Sequence, residues 1–155
     1  MKIEKIVKKL IKKKITISTA ESCTGGLIAS EITKVPNSSK IFNLGLVTYS
    51  NNSKSIILKI NKKIIKKYGA VSLEVCKEMV KNLYKISKTK ICISVTGIAG
   101  PSGGTLHKPV GLVFIGFKFK NKNKVFMFNF NKKFNRKKIQ KLTCKKVFEI
   151  INLNI

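Results

Sequence analysis

Residues 19–26, Thr-Ala-Glu-Ser-Cys-Thr-Gly-Gly, set a carboxylate, a hydroxyl and a thiol side by side. The apolar, β-branched run of residues 15–17 leads into this segment, and residues 27–32 continue from it with helical spacing. The pattern therefore predicts a strand, a tight turn and the N-terminus of a helix. The first backbone N–H groups of a helix have no partner within it, and glycine lets a substrate approach them closely. This turn is a candidate active-site element.

Two interpretations of the turn stay open from the residues alone. In the first, Ser22 or Cys23 is a nucleophile, and the N–H groups of Gly25 and Gly26 bind an oxyanion. In the second, the turn is structural, with Thr24 as the helix N-cap and the glycines chosen for backbone shape. A cysteine nucleophile ordinarily needs a histidine partner, and the chain has a single histidine. We therefore favour Ser22 as the nucleophile and expect Cys23 to be packed.

A second polar group follows another predicted strand, in residues 47–54, Val-Thr-Tyr-Ser-Asn-Asn-Ser-Lys. Tyr49 would lie at the end of this strand, and Lys54 would follow one helical turn later. Serine is a poor nucleophile at neutral pH without a base, and a desolvated lysine with a lowered pKa is one base that proteins use. Because the chain is so rich in lysine, a solvent-exposed Lys54 is the ordinary alternative, and the pattern leaves both open.

A third segment is rich in glycine and small polar residues. Residues 96–105 read Thr-Gly-Ile-Ala-Gly-Pro-Ser-Gly-Gly-Thr, and Lys-Pro-Val-Gly follows at 108–111. Such a loop at the end of a buried strand suits the rim of a site for a phosphate-bearing ligand. It matches neither the Walker pattern nor G-x-G-x-x-G, so no nucleotide class follows from it, and a plain loop is the alternative.

The composition excludes several kinds of site. All six carboxylates are glutamates, and His107 is the only histidine, so a Ser-His-Asp triad is impossible and histidine metal sites lack ligands. The four cysteines are widely spaced with no C-x-x-C pair, which argues against a disulfide framework or a zinc knuckle. We expect reduced thiols in the core, no metal ligands and no cofactor. The remaining chemistry is that of hydroxyl, thiol, lysine and tyrosine groups.

The net charge of +27 is compatible with nucleic-acid binding, because dense positive charge neutralises phosphates. However, 32 of the 33 basic residues are lysines spread along the whole chain, and arginine is the usual residue for bidentate recognition. We therefore interpret most of the charge as solvated surface that permits non-specific nucleic-acid binding. No apolar run is long enough to span a bilayer, so we expect a soluble, cytoplasmic protein without membrane contact.

The length of 155 residues and the 43% hydrophobic content fit one domain, residues 1–155. Helices and strands interleave, which predicts a single-domain α/β/α layered sandwich with a mixed, mostly parallel sheet and a C-terminal antiparallel hairpin. We predict strands at 15–19, 42–50, 91–95, 110–119 and 124–130, and helices at 3–14, 24–34, 54–58, 62–68 and 135–151. Gly69 fits as the C-terminal cap of the helix at 62–68, and Ser72 caps a further amphipathic helix whose apolar positions are Val75, Met79, Val80 and Leu83.

Together, the segments 19–26, 47–54, 94–101 and 103–111 resemble the CinA C-terminal domain family, and the resemblance covers nearly the whole chain. Its stand-alone form is nicotinamide-nucleotide amidohydrolase. The resemblance implies hydrolysis of the carboxamide of nicotinamide mononucleotide to nicotinate mononucleotide and ammonia, in pyridine-nucleotide recycling. It also implies a homo-oligomer whose ligand is a small pyridine nucleotide.

The family's serine, tyrosine and lysine fall on Ser22, Tyr49 and Lys54. We expect neutral Lys54 to take the proton of Ser22 as it attacks the amide carbon, with Tyr49 relaying or orienting that proton. Backbone N–H groups near residues 24–26 would hold the oxyanion, and the loop of residues 97–104, the single arginine or nearby lysines would hold the phosphate. The predicted substrate-binding residues are Thr24, Gly25, Gly26, Thr48, Gly97, Gly100, Gly103, Gly104 and Arg136.

One departure from the family pattern concerns the final helix. Family members tend to carry an Asp-Arg pair before it and a second arginine a turn later, whereas here Asn135 precedes Arg136 and Gln140 stands at the later position. If the pair orients the phosphate or a subunit contact, substrate binding is weakened. Two alternatives remain: a basic nucleic-acid-binding protein associated with competence or recombination, and a catalytically decayed family member.

Overall fold

The computed structural model describes residues 2–155. Helices and strands alternate along most of the chain, and the last two strands follow each other directly. The elements are α1 (Ile3–Lys12), β1 (Ile17–Glu21), α2 (Leu27–Thr33), a 3-10 turn (Ser38–Lys40), β2 (Phe42–Val47), α3 (Asn51–Ile57), α4 (Lys62–Tyr68), α5 (Leu73–Ser87), β3 (Ile91–Gly97), β4 (Leu112–Phe119), β5 (Lys122–Asn129) and α6 (Arg136–Asn152).

The five strands form one mixed sheet in the order β2-β1-β3-β4-β5. Strand β1 is parallel to both of its neighbours, whereas β4 is antiparallel to β3 and to β5. The prediction of a mixed sheet that ends in an antiparallel hairpin is therefore confirmed. The hairpin turn is tighter than the predicted four residues, since Lys120 and Asn121 alone connect the strands and Lys120 adopts a φ of +52°.

Helices cover both faces of the sheet, as the layered sandwich requires. On one face α1, α2 and α6 pack on the inward residues of β3 and β4, in a core that contains Leu10, Ile32 and Val147. On the other face α5, with α4 beside it, buries Met79 and Leu83 against β1 and β3. All four cysteines are free and buried, as predicted. None of the helices within residues 2–155 combines the length and the apolar character needed to cross a membrane.

Strand β1 lies between β2 and β3 in the sheet, and the two crossovers run in opposite directions. The crossover through α2 leads from β1 to β2 on one side, and the crossover through α3, α4 and α5 leads from β2 past β1 to β3 on the other side. In open α/β sheets such a switch point leaves a crevice at the carboxyl ends of the strands, where ligands bind. Glu21, Val47 and Val95 are register partners there, so the turn after β1 begins at this crevice.

Several predicted boundaries are confirmed, and others are wrong by two or three residues. Helix α4 and its C-cap Gly69 match the prediction, as does the N-cap Ser72, whose hydroxyl accepts from Val75 N–H. Strand β1 lies two residues later than predicted, because the ladder with β2 and β3 carries it through the polar residues up to Glu21. Helix α3 begins at Asn51, so Lys54 lies inside it and not at its start.

Candidate active site

A pocket of about 280 Å³ opens at the carboxyl edge of the parallel strands. The turn after β1, the end of β2, helix α3, the loop before α5, the glycine-rich loop after β3 and the start of α6 all contribute to it. Its lining residues are Ser22, Cys23, Tyr49, Lys54, Ala70, Val71, Thr96, Gly97, Ile98, Ala99, Gly100, Ser102, Gly103 and Arg136. A larger cavity of about 690 Å³ lies among lysines elsewhere and contains none of the predicted catalytic residues.

Ser22 is the first residue after β1 and is held by the sheet. Its N–H donates to the carbonyl of Val95 at 3.0 Å, which continues the pairing of β1 with β3. Its own carbonyl accepts from the N–H of Gly25 at 3.1 Å, which closes the turn. Gly25 and Gly26 have φ values of +61° and +96°, which residues with a Cβ rarely adopt. The backbone therefore fixes the position of the serine before any substrate binds.

Lys54 extends from α3 into the interior and reaches the serine. The helix begins with Ser50 as N-cap, whose hydroxyl accepts from Ser53 N–H at 3.0 Å. The side chain of Lys54 is only 1% exposed, and its Nζ lies 3.0 Å from Oγ of Ser22. The same Nζ lies 2.7 Å from the carbonyl oxygen of Thr48 and 3.2 Å from that of Tyr49. The structure thus brings the predicted nucleophile and the predicted base into direct contact.

Burial lowers the pKa of Lys54 from 10.5 to about 8. Burial also raises the pKa of the neighbouring Cys23 thiol to about 12, so that thiol carries no charge that would favour the ammonium near neutral pH. A neutral amine has two N–H donors and one lone pair. When the amine is neutral, its two N–H groups donate hydrogen bonds to the two carbonyl oxygens, and its lone pair remains for the hydroxyl proton of Ser22. The arrangement suits a general base.

Tyr49 lies at the mouth of the pocket, and its side chain is 60% exposed. Its hydroxyl accepts a hydrogen bond of 2.7 Å from Arg136, whose other terminal nitrogen donates to the carbonyl of Gly100 at 2.9 Å. The tyrosine hydroxyl therefore does not stand between Ser22 and Lys54 in this arrangement, and its expected part in relaying or orienting the proton stays a prediction. Tyr49 contributes its backbone carbonyl to Lys54 and its hydroxyl to Arg136.

The prediction that Gly25 and Gly26 N–H groups bind the oxyanion is contradicted, because both groups are occupied. Gly25 donates within the turn, and Gly26 donates to Oε2 of Glu21 at 3.1 Å. Thr24 is not the N-cap either: Gly26 holds that position, and Thr24 is buried with a hydroxyl that has no partner within residues 2–155. In that same range the N–H groups of Cys23 and Thr24 donate to no other residue, and only Cys23 lines the pocket, so its N–H is the candidate donor beside Ser22.

The other predicted binding residues fall into two groups. Gly97, Gly100, Gly103 and Arg136 line the pocket, in agreement with their placement by sequence. The residues outside its lining are Thr24, Gly25, Gly26, Thr48 and Gly104. Thr48 supports the site indirectly through the carbonyl that accepts from Lys54.

Sequence reasoning missed two contributions to the site. Ala70 and Val71 line the pocket from the loop before α5, and the hydroxyl of Thr96 fixes that loop by donating to the carbonyl of Ala70 at 2.8 Å. The side chain of Gln140 donates to the carbonyl of Cys23 at 2.8 Å, across 117 positions of sequence. Nothing in the sequence pattern signals these long-range contacts.

The departures at the last helix have local explanations. Asn135 is the N-cap of α6 and accepts from the N–H of Lys138 at 2.9 Å, a bond that an aspartate would also accept. Gln140, at the second position, holds the turn after β1. No three His, Cys or Glu side chains of residues 2–155 converge in the manner of a metal site.

Comparisons with known proteins agree with this fold. The family model of the CinA C-terminal domain matches residues 2–155. A CinA-like protein of Endomicrobium trichonymphae is 47% identical over 142 residues, which cover 92% of this chain and 33% of that protein. A CinA-like protein of Fusobacterium nucleatum is 57% identical over 114 residues, which cover 74% of this chain and 27% of that protein. The chain thus spans about a third of the length of these curated relatives.

Solved structures show the same architecture over the whole chain. The competence/damage inducible protein CihA from Agrobacterium tumefaciens superposes with a TM-score of 0.92 at 33% identity, covering 99% of this chain and 95% of that one. The competence damage-inducible protein A from Klebsiella pneumoniae gives a TM-score of 0.91 at 23% identity over 99% of this chain and 97% of that one, which shows the fold alone. On the family match and these structures, the chain belongs to the CinA C-terminal domain family.

Proposed function

We propose that this chain hydrolyses the carboxamide of nicotinamide mononucleotide to nicotinate mononucleotide and ammonia, with Ser22 as nucleophile and Lys54 as general base. The observation that carries the proposal is the 3.0 Å contact between Nζ of a lysine that is 1% exposed and Oγ of a serine in a pocket. Surface lysines do not adopt such positions, because burial of an ammonium is costly. The substrate comes from the family resemblance, since the names of the relatives state no reaction.

In the first step the neutral amine of Lys54 takes the hydroxyl proton as Oγ of Ser22 attacks the amide carbon. The carbon–nitrogen bond then breaks, and the lysine returns the proton to the departing nitrogen, so ammonia leaves and an ester with Ser22 remains. A water molecule, deprotonated by the same lysine, attacks the ester carbon; the bond from this carbon to Oγ of Ser22 breaks as the lysine returns the proton to Oγ, and the carboxylate product leaves. A single lysine thus serves as base and acid in both halves, and within residues 2–155 it is the one titrating side chain that is hydrogen-bonded to Ser22.

The tetrahedral intermediates place a negative charge on the former carbonyl oxygen. The N–H of Cys23 directly follows the nucleophile and is free of other partners within residues 2–155, so we assign it as a donor to this oxyanion. The ammonium form of Lys54, present at that moment, adds a positive charge at the same end of the pocket.

Arg136 provides the anchor for the anionic group of the substrate. It is the only arginine among 33 basic residues, and it lies in the pocket. Its guanidinium is fixed by Gly100 and Tyr49, and a guanidinium binds phosphate oxygens in a bidentate manner that a lysine cannot reproduce. Its position beside the glycine-rich loop favours a substrate that carries one phosphate away from the reacting amide.

The experiment is to incubate the purified protein with nicotinamide mononucleotide and to measure nicotinate mononucleotide and ammonia. We expect both products in equal amounts from the wild type, and a loss of more than about 10³-fold in kcat for Ser22→Ala. The matched control is Ser102→Ala, which removes a hydroxyl from the same pocket without touching Lys54. If Ser22→Ala forms product at the wild-type rate, Ser22 is not the nucleophile. If the wild type forms no product, nicotinamide mononucleotide is not the substrate.

A second candidate function is nucleic-acid binding, which the net charge of +27 and the lysine-lined cavity favour. Phosphate-driven binding shows a steep fall of affinity with salt that is the same for wild type and Lys54→Met. A fluorescence-anisotropy titration of a DNA duplex at several salt concentrations measures this slope. Absence of binding at 50 mM salt would exclude this candidate.

A further inference from the structure

We propose that Glu21 is a positioning residue that holds the turn of Ser22 in its reactive geometry, and that Gln140 holds the same turn from the opposite side. The proposal rests on the proposed function, because it assumes that Ser22 is the nucleophile. Glu21 is fully buried, and no lysine, arginine or histidine contacts its carboxylate within residues 2–155. A buried carboxylate of this kind is costly unless its oxygens accept hydrogen bonds.

The carboxylate accepts three backbone N–H groups of the next helix. Oε2 of Glu21 accepts from Gly26 at 3.1 Å and from Ile28 at 3.1 Å, and Oε1 accepts from Ala29 at 2.9 Å. These are the N–H groups that a helix cannot satisfy internally. The N-cap position itself is Gly26, which has no side chain to do this, so Glu21 caps the helix from five positions upstream.

The consequence for the nucleophile is geometric. Glu21 is the last residue of β1, so residues 22–26 are the only ones between its strand and the helix that its side chain binds. One side chain therefore links both ends of the five-residue turn that carries Ser22. The backbone of Glu21 adds a third anchor, since its carbonyl accepts from Thr48 N–H at 2.8 Å, and the carbonyl of Thr48 in turn accepts from Lys54.

Gln140 completes the support from α6. Its amide donates to the carbonyl of Cys23 at 2.8 Å, and this bond fixes the peptide unit between Cys23 and Thr24. Glu21 occupies the N–H groups of Gly26, Ile28 and Ala29, so the N–H groups of the turn without a partner in residues 2–155 are those of Cys23 and Thr24, of which only Cys23 lines the pocket. The two side chains together restrain the turn that carries these N–H groups, and misplacement of a catalytic group by about 1 Å costs up to about 100-fold in rate.

The test uses Glu21→Gln, which keeps the shape but places an amide N–H₂ against a backbone N–H. With nicotinamide mononucleotide we expect kcat to fall roughly 10- to 100-fold, while KM stays within about threefold, because the lost interaction belongs to the transition state. The pH at which kcat is half maximal stays that of the wild type, since Lys54 keeps its contacts. The control is Glu31→Gln on the same helix. The carboxylate of Glu31 is paired with Lys34 and bonds to no group of the turn within residues 2–155, so we expect an unchanged kcat for this variant.

Two further measurements keep the outcome decisive. Gln140→Ala alters a partly exposed residue, and we expect it to lower kcat about threefold or more at unchanged melting temperature. Labelling of Ser22 by a fluorophosphonate, in which Oγ bonds to phosphorus and fluoride leaves, is followed by intact mass without any substrate. We expect slower labelling in both variants than in the wild type.

The results separate this proposal from the proposed function. If the wild type is labelled at Ser22 but releases no ammonia, the substrate is wrong, and the labelling rates of the variants still test the turn. If Glu21→Gln folds and both its kcat and its labelling rate stay within twofold of the wild type, Glu21 is only a structural cap. If Glu21→Gln does not fold, an unchanged rate in Gln140→Ala overturns the proposal.

Discussion

Ser22 and Lys54 are 32 positions apart in the chain, yet Oγ of the serine and Nζ of the lysine lie 3.0 Å apart in the interior. The serine directly follows strand β1, and the lysine comes from helix α3, which follows the edge strand β2. Two backbone carbonyls hold the amine in place, and burial lowers its pKa. The pair therefore has both the geometry and the protonation equilibrium of a nucleophile with its base.

The activity is expected to rise with pH. Only the neutral form of Lys54 accepts the proton of Ser22, and its pKa lies at about 8. The value of kcat/KM should increase about tenfold per pH unit well below this pKa and level off above it. A profile measured from pH 6 to pH 9.5 in buffers of constant ionic strength checks this. A rate that is independent of pH over this range would contradict a lysine base.

The stability of the fold should depend on pH through the same lysine. Between the folded pKa of about 8 and the ordinary value of 10.5, the unfolded chain binds a proton that the folded chain does not. The free energy of unfolding therefore rises with pH in this window, and the full gain is about 3 kcal/mol relative to a variant without the amine. Below pH 8 the difference between the two proteins is constant.

Urea unfolding of the wild type and of Lys54→Met at intervals from pH 7 to pH 10.5 measures that difference. Subtracting the two curves cancels the titration of the exposed lysines, which both proteins share. Parallel curves across the whole range would show that Lys54 is not a buried, titrating amine.

Arg136→Lys should weaken substrate binding without altering the chemistry. The substitution keeps the positive charge but loses the planar fork that contacts Gly100 and Tyr49. We expect KM for nicotinamide mononucleotide to rise roughly tenfold, which corresponds to about 1.4 kcal/mol, at nearly constant kcat. Steady-state kinetics with the riboside, which lacks the phosphate, provides the comparison. An equal rise of KM for both compounds would mean that Arg136 does not bind the phosphate.

Tyr49→Phe removes the hydroxyl that accepts from Arg136 and leaves the backbone carbonyl that accepts from Lys54. Because no relay is needed between two groups already in contact, kcat should stay within about threefold of the wild type, and KM should rise modestly as Arg136 loses a partner. Steady-state kinetics separates the two parameters. A fall in kcat of about 100-fold or more at constant KM would instead show that the hydroxyl takes part in proton transfer.

The sequence pattern predicts most of the architecture because local features dominate it. The caps Gly69 and Ser72 lie where the pattern places them, since each acts on residues within one turn. The predicted start of α2 is wrong because the side chain of Glu21 accepts from the first N–H groups of this helix. Glu21 lies five residues before the N-cap Gly26, and no local rule anticipates such a contact.

The residues of the candidate site also divide into those that a local motif indicates and those that it does not. Ser22 and the glycines of the loop are visible as local motifs, whereas the family resemblance alone selects Lys54 from the many lysines. The contacts of Gln140 with Cys23 and of Arg136 with Tyr49 join residues that are 117 and 87 positions apart. Their pairing follows from the placement of α6 against the sheet, which periodicity does not specify.

The central claim is that Ser22 and Lys54 act as one unit, and a double-mutant cycle tests it most directly. Ammonia release from nicotinamide mononucleotide is measured at pH 8.5 for the wild type, Ser22→Ala, Lys54→Met and the double variant. If the two residues share one proton transfer, each single variant loses more than about 10³-fold in kcat, and the double variant loses no more than either. Losses that multiply in the double variant, or a single variant that keeps the wild-type rate, would contradict the account.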